Sequence, residues 1–126
     1  MVIVYNLKIK IRFILEAPEI MEGPQDVEIS WGSTVIFTCK VTGDPKPSIF
    51  WMRNDEEIKM NNDKYTIMEN GSLRIKNTDD NDRGHYECMA KNSDGEVKSR
   101  PARMILVHPE RSRNEYGIKI ILVFTF

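Results

Sequence analysis

Hydrophobic residues recur at every second position through most of this chain. Val35, Phe37, Cys39 and Val41 share one side of a run whose other side carries Ile36, Thr38 and Lys40. In Asp82-Arg83-Gly84-His85-Tyr86-Glu87-Cys88, Tyr86 and Cys88 point one way while His85 and Glu87 point the other. Trp51 sits in a third run, Ile49-Phe50-Trp51-Met52-Arg53. A period of two predicts strands. Further strands are predicted at Ala17-Pro18-Glu19-Ile20, ended by Glu22-Gly23-Pro24, and at Asp26 to Ser30 with Val27 and Ile29 inward. Asp63 to Met68, a run with Leu73 and Ile75 inward, and a long last strand reaching about Val107 complete the set. Between them lie Gly32-Ser33, Gly43-Asp44-Pro45-Lys46-Pro47, the polar turn Asn54-Asp55-Glu56-Glu57 before a short edge segment at Ile58, Asn70-Gly71, and Ser93-Asp94-Gly95. Turn signals roughly every 8–12 residues, with no helical period anywhere, predict an all-β domain. Residues 1–16 also alternate, Leu7, Ile9, Ile11, Phe13 and Leu15 against Lys8, Lys10 and Arg12, which is compatible with an isolated strand.

A length of 126 residues suits one domain, placed at 17–109, with 1–16 and 110–126 as unassigned flanks. Charged residues make up 29% and the net charge is −1, so no strong field points to nucleic acid or an anionic membrane. The apolar run from Ile118 to Phe126 is far shorter than the roughly 20 residues that cross a bilayer. Lys8, Lys10 and Arg12 interrupt the apolar stretch that a secretory signal needs. The two cysteines are most simply read as one disulfide, worth roughly 4 kcal/mol across a loop of this length. Such a bond persists in oxidising compartments, so an extracellular location, secreted or matrix, is expected, with the chain as a fragment of a longer secreted protein.

Taken together, Cys39, Trp51, Leu73, Asp82-x-Gly84-x-Tyr86-x-Cys88 and Gly43-x-Pro45-x-Pro47 resemble the intermediate set (I-set) of immunoglobulin domains. The resemblance implies an immunoglobulin-like two-sheet sandwich with one inter-sheet disulfide, Cys39 to Cys88, covered by Trp51. It implies that the Tyr86 hydroxyl ties down the turn before its own strand, that Leu73 packs in the core, and that Asp82 pairs with Lys64. Three stretches are similar to the first immunoglobulin domain of the peroxidasin family: Ala17-Pro18-Glu19-Ile20 through Val27, Phe37-Thr38-Cys39, and Tyr86-Glu87-Cys88-Met89-Ala90-Lys91-Asn92 through Lys98. That family consists of secreted matrix proteins carrying leucine-rich repeats, several such domains and a haem peroxidase domain that helps cross-link collagen IV. The resemblance therefore implies a non-catalytic module for protein binding, adhesion or matrix assembly, without a cofactor, since this length leaves no room for a peroxidase domain. Three other readings stay open. One is an intracellular structural module of the muscle giant-protein kind with reduced cysteines. The others are an accessory part of a haem peroxidase and a secreted lone-domain ligand.

Candidate chemistry is sparse. His85 and Glu87 share a strand face but make only two ligands, so a metal role is not expected. Asp79-Asp80-Asn81-Asp82 lacks the glycine and distal glutamate of a calcium loop and reads as a capped turn. Alternation that buries Trp51 and Cys88 turns Phe50, Met52 and Met89 outward, and Ile105 joins them if Ala102, Met104 and Leu106 face in. The expected result is an apolar patch rimmed by Arg53, Glu87 and Arg103, suited to a protein partner. Trp31, in a turn, is a second candidate for contact with a neighbouring immunoglobulin-like domain. Asn70-Gly71-Ser72 is an N-glycosylation acceptor that also serves a tight turn. Lys91, Lys98, Arg100 and Arg103 invite a weak heparan sulfate contact, although simple alternation divides them between faces.

Overall fold

Alternating runs separated by glycine, proline and asparagine turns fold into eleven strands across residues 15–108, the part that the computed structural model of the chain describes. They are β1 (Glu16–Glu22), β2 (Val27–Ser30), β3 (Val35–Phe37), β4 (Lys40–Asp44), β5 (Ser48–Arg53), β6 (Glu56–Glu57), β7 (Tyr65–Ile67), β8 (Leu73–Ile75), β9 (Gly84–Asn92), β10 (Gly95–Lys98) and β11 (Ala102–Val107). A single 3₁₀ turn, Asp80–Asp82, precedes β9. One layer has the order β2-β11-β9-β5-β6, with β10 paired to the far half of β9. The other layer holds β1-β4 and β3-β8-β7. The β2–β11 pair is parallel and the remaining pairs are antiparallel. This is the all-β fold that the alternation predicts, in the two-sheet sandwich that the I-set resemblance implies.

The departures from a simple strand count share a cause: strands change partner or register. The run expected as one strand from Val35 to Val41 divides at Thr38-Cys39, because β3 pairs with β8 whereas β4 pairs with β1. The first strand crosses layers at Gly23-Pro24, β1 lying on β4 and β2 on β11, at a proline that has no N–H to give a ladder. The last strand is also two pieces. Lys98 pairs with Met89 but Ala102 pairs with Tyr86, so the residue-number sum moves from 187 to 188 and one extra residue bulges out at Arg100-Pro101. The edge segment expected at Ile58 is instead β6, paired with β5 across a two-residue turn in which Asn54 and Asp55 hold φ of 50° and 70°. Asparagine and aspartate tolerate that left-handed region, and it is the geometry a tight hairpin requires. The strand expected from Asp63 starts only at Tyr65, since Lys64 and Tyr65 both donate to the Asn61 carbonyl in a turn. The alternating stretch before residue 15 and the tail from Pro109 lie outside the described residues.

Between the layers, Phe37 stacks on Tyr86 with ring centroids 4.8 Å apart and lies 6.3 Å from Trp51. Leu73, Ile75, Ala102 and Met104 close the same core. Cys39 and Cys88 are bonded, their Cα atoms 6.4 Å apart, and both are fully buried. Trp51 is also fully buried, and its indole N–H donates to the Gly71 carbonyl at 2.9 Å. Gly71 has φ +94°, and a Cβ there would come within 2.5 Å of Ile49 Cδ1 and 3.0 Å of the Cys39 carbonyl. The Asn70-Gly71 turn is thus required by the core beneath it as well as by its own backbone.

Candidate functional site

Three regions carry the residues singled out from the sequence. The first is a polar cluster at one end of the sandwich. The 3₁₀ turn holds Asp82 almost fully buried, with its backbone carbonyl accepting from the Tyr86 hydroxyl. Lys64 Nζ lies 2.7 Å from Asp82 Oδ2, the Asp79 N–H donates to Oδ2 at 2.8 Å, and the Tyr65 hydroxyl donates to Oδ1. Burial alone would raise the Asp82 pKa, but donation from Lys64, Tyr65 and Asp79 outweighs it and holds the carboxyl below its ordinary value. Burial and the Asp82 carboxylate push the Tyr65 hydroxyl up to about 12, so it stays protonated and donates. Arg53, expected on the rim of the outer patch, turns the other way. Its Nη1 donates to the Tyr65 hydroxyl at 2.8 Å and lies 3.9 Å from Asp82 Oδ1. Trp51 and Arg53 share one face of β5, the face toward the opposite layer.

The second region is the outward face of the six-stranded layer. Phe50 lies directly opposite Met89, which has Lys98 on its other side. Met52 sits one row along, between Glu87 and Glu57, and Lys98 Nζ is 3.9 Å from Glu87. Phe50, Met52 and Met89 are all half-buried because each covers its neighbour. Ile105 does not join them. Arg103 pairs with His85, so Ile105 lies two residues further along, beside Glu28, with His85 and Glu87 intervening. The Arg100-Pro101 bulge also overturns the expected division of the basic residues: it returns Lys98 and Arg103 to the same face despite their odd spacing. Lys91 shares that face but stands opposite Glu96, so acids interleave with the bases and no continuous cationic track forms.

The third region is the pole where β11 ends. Trp31 is 47% exposed and stacks on His108 with centroids 6.2 Å apart. The parallel pairing of Ser30 with Val107 brings these two residues level, and the Trp31 N–H donates to the Val107 carbonyl at 2.8 Å. Asp80 bridges His108 at 3.4 Å and Arg83 at 3.0 Å, and Arg83 also donates to the Leu106 carbonyl. Sequence reasoning picked out Trp31 but missed His108 and Arg83, because parallel register leaves no local pattern. The acidic stretch is used internally: Asp79 caps the Asn81 N–H, Asp80 holds Arg83, and Asp82 holds Lys64. Among the described residues no three His, Cys, Asp or Glu side chains converge on a metal-sized site. At the opposite pole Asn70 is exposed, its Oδ1 accepting from the N–H of buried Ser72.

A layered sandwich with a buried cysteine bridge, an indole beside it and a tyrosine bonded to the turn before its strand narrows the fold to one group. The sequence profile of the immunoglobulin I-set domain matches residues 18–102. The chain belongs to the immunoglobulin I-set family. This I-set domain is 47% identical over 85 residues to the human protein named Peroxidasin homolog, a match covering 67% of this chain and 6% of that relative's length. The solved structure of the tandem Ig repeats of Dlar superposes with a TM-score of 0.72 at 35% identity, covering 78% of this chain and 52% of that one. Titin domain M7 superposes with a TM-score of 0.68, also at 35% identity, over 75% of this chain and 97% of its own. The described residues therefore form an I-set unit related to domains found in very different proteins.

The Asp82 cluster yields a pH signature. A carboxyl whose folded pKa lies below its unfolded value, near about 3.9, stabilises the fold fully above that value and loses the effect as pH falls through the folded pKa. Asp82→Asn leaves Lys64 without its buried partner and should cost about 3 kcal/mol at pH 7 in urea unfolding. Between pH 7 and pH 3 the wild type should lose more stability than the variant; parallel losses would show that Asp82 titrates normally.

Proposed function

We propose that this I-set domain is a non-catalytic, extracellular protein-binding module, one unit of a longer adhesion or matrix-assembly protein of the peroxidasin kind. The observation that carries the reading is the Phe50–Met89 pair, an apolar strip on an outward sheet face with Met52 beside it. Flexible methionines and an aromatic ring are inexpensive to desolvate, and the rim of Glu87, Lys98 and Arg103 supplies directional charge. The buried Cys39–Cys88 bond supports an oxidising compartment. The likeness to titin domain M7 keeps a muscle-type structural role as the second reading, and the bonded cysteines count against it. Trp31, at the pole where the chain leaves the sandwich, is suited to touch a following domain. Haem peroxidase activity, where a parent protein has it, belongs to other segments of that parent.

Binding of the chain to immobilised extracellular-matrix extract tests this. Phe50→Ser and Met89→Ser should each weaken binding by about tenfold or more while circular dichroism stays that of a folded sandwich. Unchanged binding in both variants would remove the face from consideration. Asn70 is proposed as a glycan acceptor. Protein from a secretory host should lose mass on treatment with an N-glycosidase, and Asn70→Gln should abolish the shift. Identical masses before and after treatment would show that Asn70-Gly71 serves the turn alone.

A further inference from the structure

Among the described residues the strand β10 is hydrogen-bonded along one edge. It pairs with β9, while β2 pairs with β11 and β1 pairs with β4 in the other layer. The Ser99 N–H donates to the Cys88 carbonyl at 2.9 Å, which fixes the direction of the backbone groups. By alternation Gly95 and Val97 also face β9, so the N–H and C=O groups of Glu96 and Lys98 face away from it. They open onto a groove of about 1080 Å³ whose lining includes Pro18, Ile20, Pro24, Lys98, Arg100 and Pro101. Both Glu96 and Lys98 are exposed.

We propose that this edge pairs antiparallel with the same edge of a second copy of the chain, about a two-fold axis at Val97. Two independent requirements of such a pairing are met. An antiparallel ladder needs the residues that exchange hydrogen bonds to present their backbone groups to the partner. With Val97 on the axis, Glu96 stands opposite Lys98 of the second copy, and both are the residues whose N–H and C=O are turned outward. The side chains agree as well. Glu96 and Lys98 lie on one face of the strand, so the two-fold operation places each acid directly across from a base, twice, as an isologous contact demands. Edge strands are commonly guarded by a lysine, whose charge repels a second copy of itself. Here the acid two residues before the lysine converts that repulsion into attraction. The Arg100-Pro101 bulge, with Pro101 lacking an N–H, ends the ladder after Lys98 and keeps the contact short.

Lys98 also borders the Phe50–Met89 strip, but the pairing uses the backbone edge of β10 and does not rest on the binding role proposed for that strip. A ladder this short buries little area, so the isolated chain should dimerise with a dissociation constant on the order of 0.1–1 mM. Tethering several such units would raise the effective concentration to that range.

Sedimentation equilibrium of the full chain at low salt, loaded up to about 1 mM, tests the pairing. A reversible dimer is expected, weakened by added salt. Glu96→Lys and Lys98→Glu should each weaken it by about tenfold or more, since each sets like charges opposite one another. The double variant E96K/K98E exchanges the two partners and should restore association to within about threefold of the wild type. In the wild type, amide exchange at Glu96 and Lys98 should slow as concentration rises. A chain that stays monomeric throughout, single reversals without effect, or a double variant that fails to recover would each overturn the proposal. Association that ignores both single reversals would place the contact elsewhere, for example at the Trp31 pole.

Discussion

The bond between Cys39 and Cys88 is the constraint on which the rest of the sandwich depends. It joins β9, in one layer, to the chain between β3 and β4, in the other, across a sequence separation of 49 residues. Closing a loop of that length removes roughly 4 kcal/mol of conformational freedom from the unfolded chain, comparable with the whole net stability of a small domain. Trp51 stands directly opposite Cys88 in the β5–β9 ladder, and its N–H is bonded to the Gly71 carbonyl. Bridge, indole and turn therefore form one connected unit. A substitution at Gly71 presses on Ile49 and on the Cys39 carbonyl together.

A second, polar anchor works at the end of the sandwich that holds the 3₁₀ turn. Asp82 gathers Lys64, Tyr65, the Asp79 N–H and, at longer range, Arg53, while its own carbonyl takes the Tyr86 hydroxyl. A buried carboxylate survives there because nearly every lone pair has a donor. The result ties the connection before β9 to β7 and β5, so both ends of the core are closed by specific contacts. The outer faces are then free to carry side chains for other tasks.

Much of the core was legible along the chain. Val35, Phe37, Trp51, Leu73, Tyr86 and Cys88 occupy inward positions of period-two runs, and burial follows that parity directly. Parity also explains the errors. Ile105 was counted into the outer patch by face alone, whereas its row along the strand depends on the β9–β11 register, which alternation does not report. The bulge at Arg100-Pro101 reverses parity halfway along the last strand and reunites Lys98 with Arg103. Arg53, expected on the patch rim, follows the parity of Trp51 instead and faces inward, where Tyr65 and Asp82 receive it. His108 meets Trp31 only through a parallel pairing of segments far apart in sequence. What was hidden is long-range register; what was visible is local alternation.

Family membership accounts for the scaffold and leaves the faces to define the role, as the likeness to domains of a peroxidasin homolog, Dlar and titin alike makes plain. An extracellular role requires that the bridge form in the mature molecule. The most direct measurement is peptide mapping by mass spectrometry of the full chain from a secretory host, denatured and alkylated without reductant. One cross-linked pair of peptides containing unalkylated Cys39 and Cys88 is the predicted result. Alkylated thiols at both positions, in protein that had been folded as the sandwich, would contradict it.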